Sequence, residues 1–360
     1  MLCVCIPLTH EETKVKRTLL IVFALACAVF AAGAARAGSG VVYVYNWTEY
    51  IPEGVIEQFS EETGIKVVYA TYESNEAMYA KLKMLGNKGF DVIVPSSYFV
   101  SKMAREGMLH EIDKSKLPNF KNLDAAYLDQ PFDKDNKYSV PYTWGGTGIL
   151  ANPGKLGTMP TKWADLWKPE YNGVLLVQDD LREVFGMALK AKGYSLNDTD
   201  PKHIEEAYKY LKKLMPSIRT FNSDSPKVPF MNEEVDAGMI WNGEAYVAMG
   251  EVPALNFVWP EEGGILWMDC MAIPAGAKNL DEAHAFINFI LRPDIAKKMV
   301  EEWGYATPNK AAMALLDDDM RTSRVIFPDK ATMAKSEFQD DIGDAIVIYE
   351  KYWNLLKGEQ

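Results

Sequence analysis

Cysteine is scarce in this chain of 360 residues, which contains four. Cys3, Cys5 and Cys27 fall within the first 37 positions, leaving Cys270 by itself. One thiol cannot close an internal disulfide or build a cysteine-rich metal site. Histidine is equally sparse. His110, His203 and His284 stand beyond position 37, and none lies at metal-ligand spacing from another. The patterns G-x-S-x-G, H-E-x-x-H and G-x-x-x-x-G-K-[ST] are absent, so no nucleophile elbow, zinc-protease helix or phosphate loop is encoded. Neither a metal nor a cofactor is expected. Positive charge is also in deficit. Against 50 Asp and Glu there are 38 Lys and Arg, a net of −12 and a pI near 5.0. That is the wrong sign for gripping a phosphate backbone, which excludes a generic nucleic-acid binder. Carboxylates are abundant, so the paired acids of a glycosidase stay open on spacing alone.

What is present begins with an export signal. Lys14, Lys16 and Arg17 precede an unbroken apolar run from Leu19 to Ala32, followed by Ala35-Arg36-Ala37. A basic region, a short apolar core and an A-x-A site describe a secretory signal peptide over residues 1–37. The alternative is an uncleaved anchor, for which the run is short. Cys27 follows a poor lipoprotein box, and Glu11 and Glu12 are unusual for such a leader, so translation from Val15 is an open alternative to Met1. Removing the leader leaves 34 basic and 48 acidic residues, a net of −14. A protein outside the cytoplasmic membrane, in the periplasm, is expected.

The remainder alternates strands and helices. Val41–Tyr45 reads as a strand, 52–63 as a helix with Pro52 in its first turn and Gly64 as its stop, and 65–72 as a second strand. A helix over 74–85 and a buried strand over 91–95 follow. This alternation predicts a parallel sheet of βαβ units. A second series takes strands at 174–177 and 237–241, with helices at 182–192 and 201–215. Between them, Tyr138–Gly146 is turn-rich and reads as a crossover. Gly145-Gly146-Thr147-Gly148 reads as a hinge or tight turn rather than a phosphate loop. Residues 267–274 read as extended, before helices at 280–291, 293–303 and 344–356.

An aromatic next to a carboxylate recurs at strand ends, with Trp47-Thr48-Glu49-Tyr50, Asp179-Asp180-Leu181-Arg182-Glu183 and Trp241-Asn242-Gly243-Glu244 following strands, and Trp267-Met268-Asp269 lying in the segment that returns between the two halves. Tyr98 follows a strand in the same way. Ligands of open α/β sheets bind outside the carboxyl ends of strands, so these residues can converge on one cleft. Acids beside ring faces suit an organic cation. Each element has a plainer reading: Asp180 and Glu183 as a helix-capping pair, Trp241 and Trp267 as core, and Glu49 as a solvated loop acid.

The segments YVYNWTEY (43–50), VPSSY (94–98), FNSDS (221–225), MIWNG (239–243), GGILWMD (263–269) and WGYATPN (303–309) are, in this order, similar to the spermidine/putrescine-binding periplasmic proteins of polyamine ABC transporters. The resemblance runs from about Val41 to Leu356. It implies an α/β, two-lobe periplasmic-binding-protein fold with hinge crossovers, type II-like, with one lobe from 38–146 plus 267–310 and the other from 147–266 plus 311–360. It implies acids Glu49, Asp180, Glu183 and Asp269 for the amines, an aromatic box of Trp47, Tyr50, Tyr98, Trp241, Trp267 and Tyr305, and polar contacts from Thr48, Ser96, Ser223 and Gln339. The implied ligand is spermidine, with putrescine also possible. The implied partner is an inner-membrane permease, served by a monomer without catalytic activity. Another organic cation, a small anion, or a glycosidase using two of the acids are the alternatives.

Overall fold

The β-branched and aromatic run Val41–Trp47 forms the first strand, β1, with Val42 and Val44 fully buried. The computed structural model describes residues 40–48 and 50–358; the leader lies outside them. After β1 come helix α1 (Val55–Thr63), β2 (Lys66–Tyr72), α2 (Asn75–Met84), β3 (Val92–Ile93) and α3 (Ser97–Arg105). A long strand β4 (Ser139–Ala151) leads to β5 (Leu175–Val177), α4 (Leu181–Ala191), α5 (Pro201–Leu214) and β6 (Ile218–Phe221). Then follow β7 (Ala237–Trp241), α6 (Asn242–Glu251), β8 (Asn256–Val258) and β9 (Ile265–Ala272). The chain ends through α7 (Leu280–Ile290), α8 (Pro293–Trp303), the two-residue β10 (Glu337–Phe338) and α9 (Ile346–Gly358). Shorter helical turns connect these elements.

Local chemistry explains several boundaries. Gly54 takes a left-handed φ of 76°, so α1 starts at Val55 and Pro52 lies before it rather than in its first turn. Gly64 stops the same helix at φ 71°, its N–H bonding Ser60 O, the usual glycine solution at a helix end. The Ser74 side chain accepts the Ala77 N–H and opens α2.

The sheet corrects the expectation of a purely parallel one. Its path is β2-β1-β3-β9-β4-β7-β5-β6, with β10 on β9 and β8 on β4. The β1, β2 and β3 strands are mutually parallel, as are β5, β6 and β7. β9 runs antiparallel to both β3 and β4, and β4 antiparallel to β7. The mixed sheet follows because the chain returns through its centre from the far half.

The turn-rich segment is likewise no turn. All thirteen residues of β4 are buried and extended, and its glycines lie inside the strand rather than at a tight turn. They serve close packing: a Cβ on Gly145 would stand 2.6 Å from Asn242 Oδ1 and 2.7 Å from the Trp267 ring, and one on Gly146 2.6 Å from Ile265 O. Glycine in a strand often marks such an approach.

Two groups of core residues flank these central strands. Val42, Phe59, Val92, Tyr142 and Phe286 pack on one side of the chain's crossings, with Tyr45, Ile93, Tyr98 and Met268 in a neighbouring cluster. Trp163, Leu175, Phe185, Leu211 and Tyr349 pack in the other half. The molecule is therefore the expected two-lobe α/β fold, with β4 and β9 common to both lobes.

Candidate functional site

Strand ends from both halves open on a single cleft of about 350 Å³. β1 delivers Trp47, Thr48 and Tyr50, and the turn from β3 into α3 delivers Ser96 and Tyr98. Asp180 and Glu183 come from the start of α4, Ser223 from just beyond β6, and Trp241 from the end of β7. Trp267 and Asp269 point in from β9, joined by Tyr305 after α8 and Gln339 after β10. Every residue named from the resemblance as a ligand contact thus lines one space, except Glu49, which lies outside the described residues.

Asp269 is 4% exposed and receives two hydroxyl donors. Tyr50 Oη donates to Oδ2 at 2.7 Å and Ser96 Oγ to Oδ1 at 2.6 Å. Burial pushes its carboxyl up to about 6, and these two donors pull against the rise. Glu183 is 3% exposed. Its Oε1 accepts from Gln339 Nε2 at 3.1 Å and from Trp241 Nε1 at a long 3.4 Å, while Oε2 has no hydrogen-bond partner among the described residues. Burial, then the charge of Asp180, pushes it up to about 8. Neither acid forms an ion pair among the described residues. Their donors are neutral groups, so each remains an acid in want of a counter-charge.

Asp180 caps a helix and also lines the cleft. Its Oδ1 accepts the backbone N–H of Arg182 at 2.8 Å and of Glu183 at 3.0 Å, opening α4, while the side chain faces the cleft. Burial raises its carboxyl, opposed by those two N–H groups. Glu183, by contrast, does not cap at all.

The walls are aromatic. Trp267 meets Tyr305 edge-on at 5.1 Å, and Tyr305 meets Tyr50 at 6.0 Å. Trp47 is anchored by donation from Nε1 to Val94 O at 2.8 Å, which leaves its ring to the cleft. Trp267 Nε1 and Ser223 Oγ, both on the cleft, have no partner among the described residues.

Sequence reasoning missed Asn75. It is 4% exposed at the first position of α2. Its Oδ1 accepts the Ser96 N–H at 3.0 Å, and its Nδ2 donates to Ser96 Oγ at 3.0 Å and Tyr98 Oη at 3.1 Å. Because Ser96 Oγ already accepts from Asn75, its own proton is left for Asp269. Glu76 was also missed. It lines the cleft from the exposed first turn of α2, and desolvation, then the charge of Asp180, pushes its carboxyl up to about 7. Glu244 lines the cleft too, but is already paired with Lys227 at 3.0 Å.

A two-lobe α/β fold with an acid-bearing, aromatic-walled cleft is the arrangement of the solute-receptor class. Residues 54–325 match the family of bacterial extracellular solute-binding proteins, and the chain belongs to it. The spermidine/putrescine-binding periplasmic protein of Salmonella typhimurium is 54% identical over 345 residues, covering 96% of this chain and 99% of that one. Its counterpart in Escherichia coli is equally similar, at 54% with the same coverage. Among solved structures, the spermidine/putrescine ABC transporter substrate-binding protein PotD from Streptococcus pneumoniae superposes with a TM-score of 0.78 at 39% identity, over 89% of this chain and 99% of that one. These relatives are binding proteins of transport systems and not enzymes.

Proposed function

We propose that this chain captures spermidine, with putrescine as a second ligand, in its interlobe cleft and presents it to an ABC permease in the inner membrane. One observation carries the reading: Asp269 and Glu183 are buried carboxylates without cationic partners among the described residues, facing one aromatic-walled space. Asp269 is tied to Tyr50 and Ser96, whereas Glu183 rides on α4 with the second core. An amine at each satisfies both lobes at once, so ligand binding favours the closed arrangement.

The energetics divide the work. Covering roughly seven methylenes with ring faces contributes at most about 5 kcal/mol, and each cation–π contact about 0.5–2 kcal/mol. Both are tolerant of chain length. An ammonium left unpaired in the cleft costs several kcal/mol, so the spacing of the carboxylates sets which polyamine fits. The contacts are Trp47, Thr48, Tyr50, Ser96, Tyr98, Asp180, Glu183, Ser223, Trp241, Trp267, Asp269, Tyr305 and Gln339, with Glu49 as a further acid.

We place the protein in the periplasm as a monomer, exported by cleavage after Ala37. The lobe changes fall on β4 near 146/147 and on β9 near 266/267. Leu316 and Ile326 pack with Tyr45 and Tyr98, whereas Tyr349 packs with Phe185. That supports a last change after residue 326 rather than directly after 310.

Titration calorimetry with spermidine, putrescine, spermine, amino acids and phosphate tests the reading. Heat of binding with spermidine is expected, and silence with every polyamine overturns it.

A further inference from the structure

Lys357, in the last turn of α9, carries an aminoalkyl chain, the same chemical unit as one end of a polyamine. Its Nζ lies 2.9 Å from Asp179 Oδ1, 4.3 Å from the centre of the Phe221 ring and 5.5 Å from that of Trp353. The two rings meet edge-on at 6.1 Å and 77°. One carboxylate and two ring faces around an ammonium repeat, at the periphery, the chemistry of the cleft itself.

The cage adjoins that cleft. Asp179 and Trp353 both line it, together with Asp180 and Ser223. Asp179 is the residue before Asp180, so two successive carboxylates line this edge of the cleft. Ser223 Oγ has no partner among the described residues and stands two positions beyond Phe221, offering an acceptor beside the cage. Exchange with solvent is open: the side chains of Lys357 and Asp179 are 29% and 46% exposed.

We propose that Asp179, Phe221 and Trp353 form a further ammonium subsite at the mouth of the cleft, occupied by Lys357 as a tethered competitor, which receives the far amine of a polyamine longer than spermidine. The inference rests on the polyamine reading above. A tethered group competes at high effective concentration, so the subsite is masked in the native chain, and longer polyamines lose the benefit of their extra amine. The plainer role for the same contacts is a staple fastening α9 to the turn before α4. The two roles differ in what removal of the ammonium does to ligand preference.

Calorimetry with spermidine and spermine, on the native protein and on Lys357→Ala, separates them. Exposed ion pairs and cation–π contacts are individually weak, so Lys357→Ala is expected to tighten spermine about three- to tenfold and leave spermidine within about twofold. Lys357→Met, which keeps the packing of the stem, should do the same if the alanine variant folds poorly. Adding Asp179→Asn to either should return spermine to its native affinity. A lowered melting temperature with an unchanged spermine-to-spermidine ratio in both lysine variants overturns the proposal in favour of the staple. Failure of spermidine to bind the native protein would instead remove the parent reading, and this one with it.

Discussion

Asp269 holds its place through a chain of hydrogen bonds, and each link makes a separate prediction. Asp269→Asn keeps the shape but removes the counter-charge of a buried amine, a loss of about 2 kcal/mol or more, some thirtyfold in Kd. Native-like spermidine affinity in that variant would exclude Asp269 from the site. Asn75 acts one step back. Its amide fixes the Ser96 hydroxyl so that the proton points at Asp269. Asn75→Ala and Ser96→Ala should therefore each weaken binding, and the double variant should be little worse than Ser96→Ala alone. Multiplying effects in calorimetry would make them independent. Legibility at this scale was uneven. Most acids and rings stood out as aromatic–carboxylate runs, Tyr305 came only through the family resemblance, and a buried Asn one residue after a capping Ser carries no periodic signal. Its role exists only because β3 and β9 bring Ser96 and Asp269 together.

The same acids give the ligand-free protein a pH signature. Glu183 has a carboxyl at about 8 against an ordinary 4.5, and Asp269 at about 6 against 3.8. A raised value means that the folded state holds the proton more tightly than the unfolded chain. The stabilisation is complete below the ordinary values and is lost as pH rises through about 6 and then about 8. The melting temperature of the ligand-free protein should fall between pH 5 and 8.5, and saturating spermidine should flatten that fall by supplying counter-charge. A ligand-free melting temperature that climbs across this range would contradict the burial of both groups.

Among elements, the strands of the two centres carry the strictest packing. Gly238 in β7 faces the β5 backbone so closely that an added Cβ would stand 2.8 Å from Leu176 N and 2.9 Å from its carbonyl carbon. Backbone cannot rotate away, so Gly238→Ala should cost about 1–3 kcal/mol. Differential scanning calorimetry should show a lowered melting temperature, and an unchanged value would mean that the strands separate freely. Strand β7 itself was legible from end to end, Ala237–Trp241, because its apolar run is bounded by Asp236 and Asn242. β4 was not. Pro141 and three glycines read locally as turn residues, and only pairing with β9 on one side and β7 on the other holds them extended. β6 and β8 also went unread, being short runs whose partners lie far along the chain.

At the scale of the molecule, few groups among the described residues bridge the cleft directly. Ser97 Oγ donates to Gln339 O at 3.1 Å, Arg182 lies 5.3 Å over the Tyr98 ring, and Arg105 pairs with Asp341. The partly exposed Arg105–Asp341 pair contributes about 0–1 kcal/mol, the buried Ser97 hydrogen bond about 0.5–1.5 kcal/mol and the Arg182–Tyr98 contact about 0.5–2 kcal/mol, a small sum that ligand binding is expected to outweigh. Small-angle scattering should show a larger radius of gyration for the free protein and a contraction on adding spermidine. Identical profiles with and without ligand would argue against closure. The two-lobe architecture was legible from the order of its motifs, but the antiparallel return of β9 was not, since alternation of strands and helices says nothing about which later segment fills the centre.

That return has a consequence for how the molecule comes into being. β9 lies between β3 and β4, and Ile93 pairs with Ala272. A chain that emerges amino-terminus first, from a ribosome or through a membrane, therefore carries an unfilled gap in its sheet for almost 180 residues. Neither lobe can be completed on its own in the order of synthesis, and such distant pairings form slowly. The sheet therefore stays unfinished until the segment that ends at Ala272 has appeared.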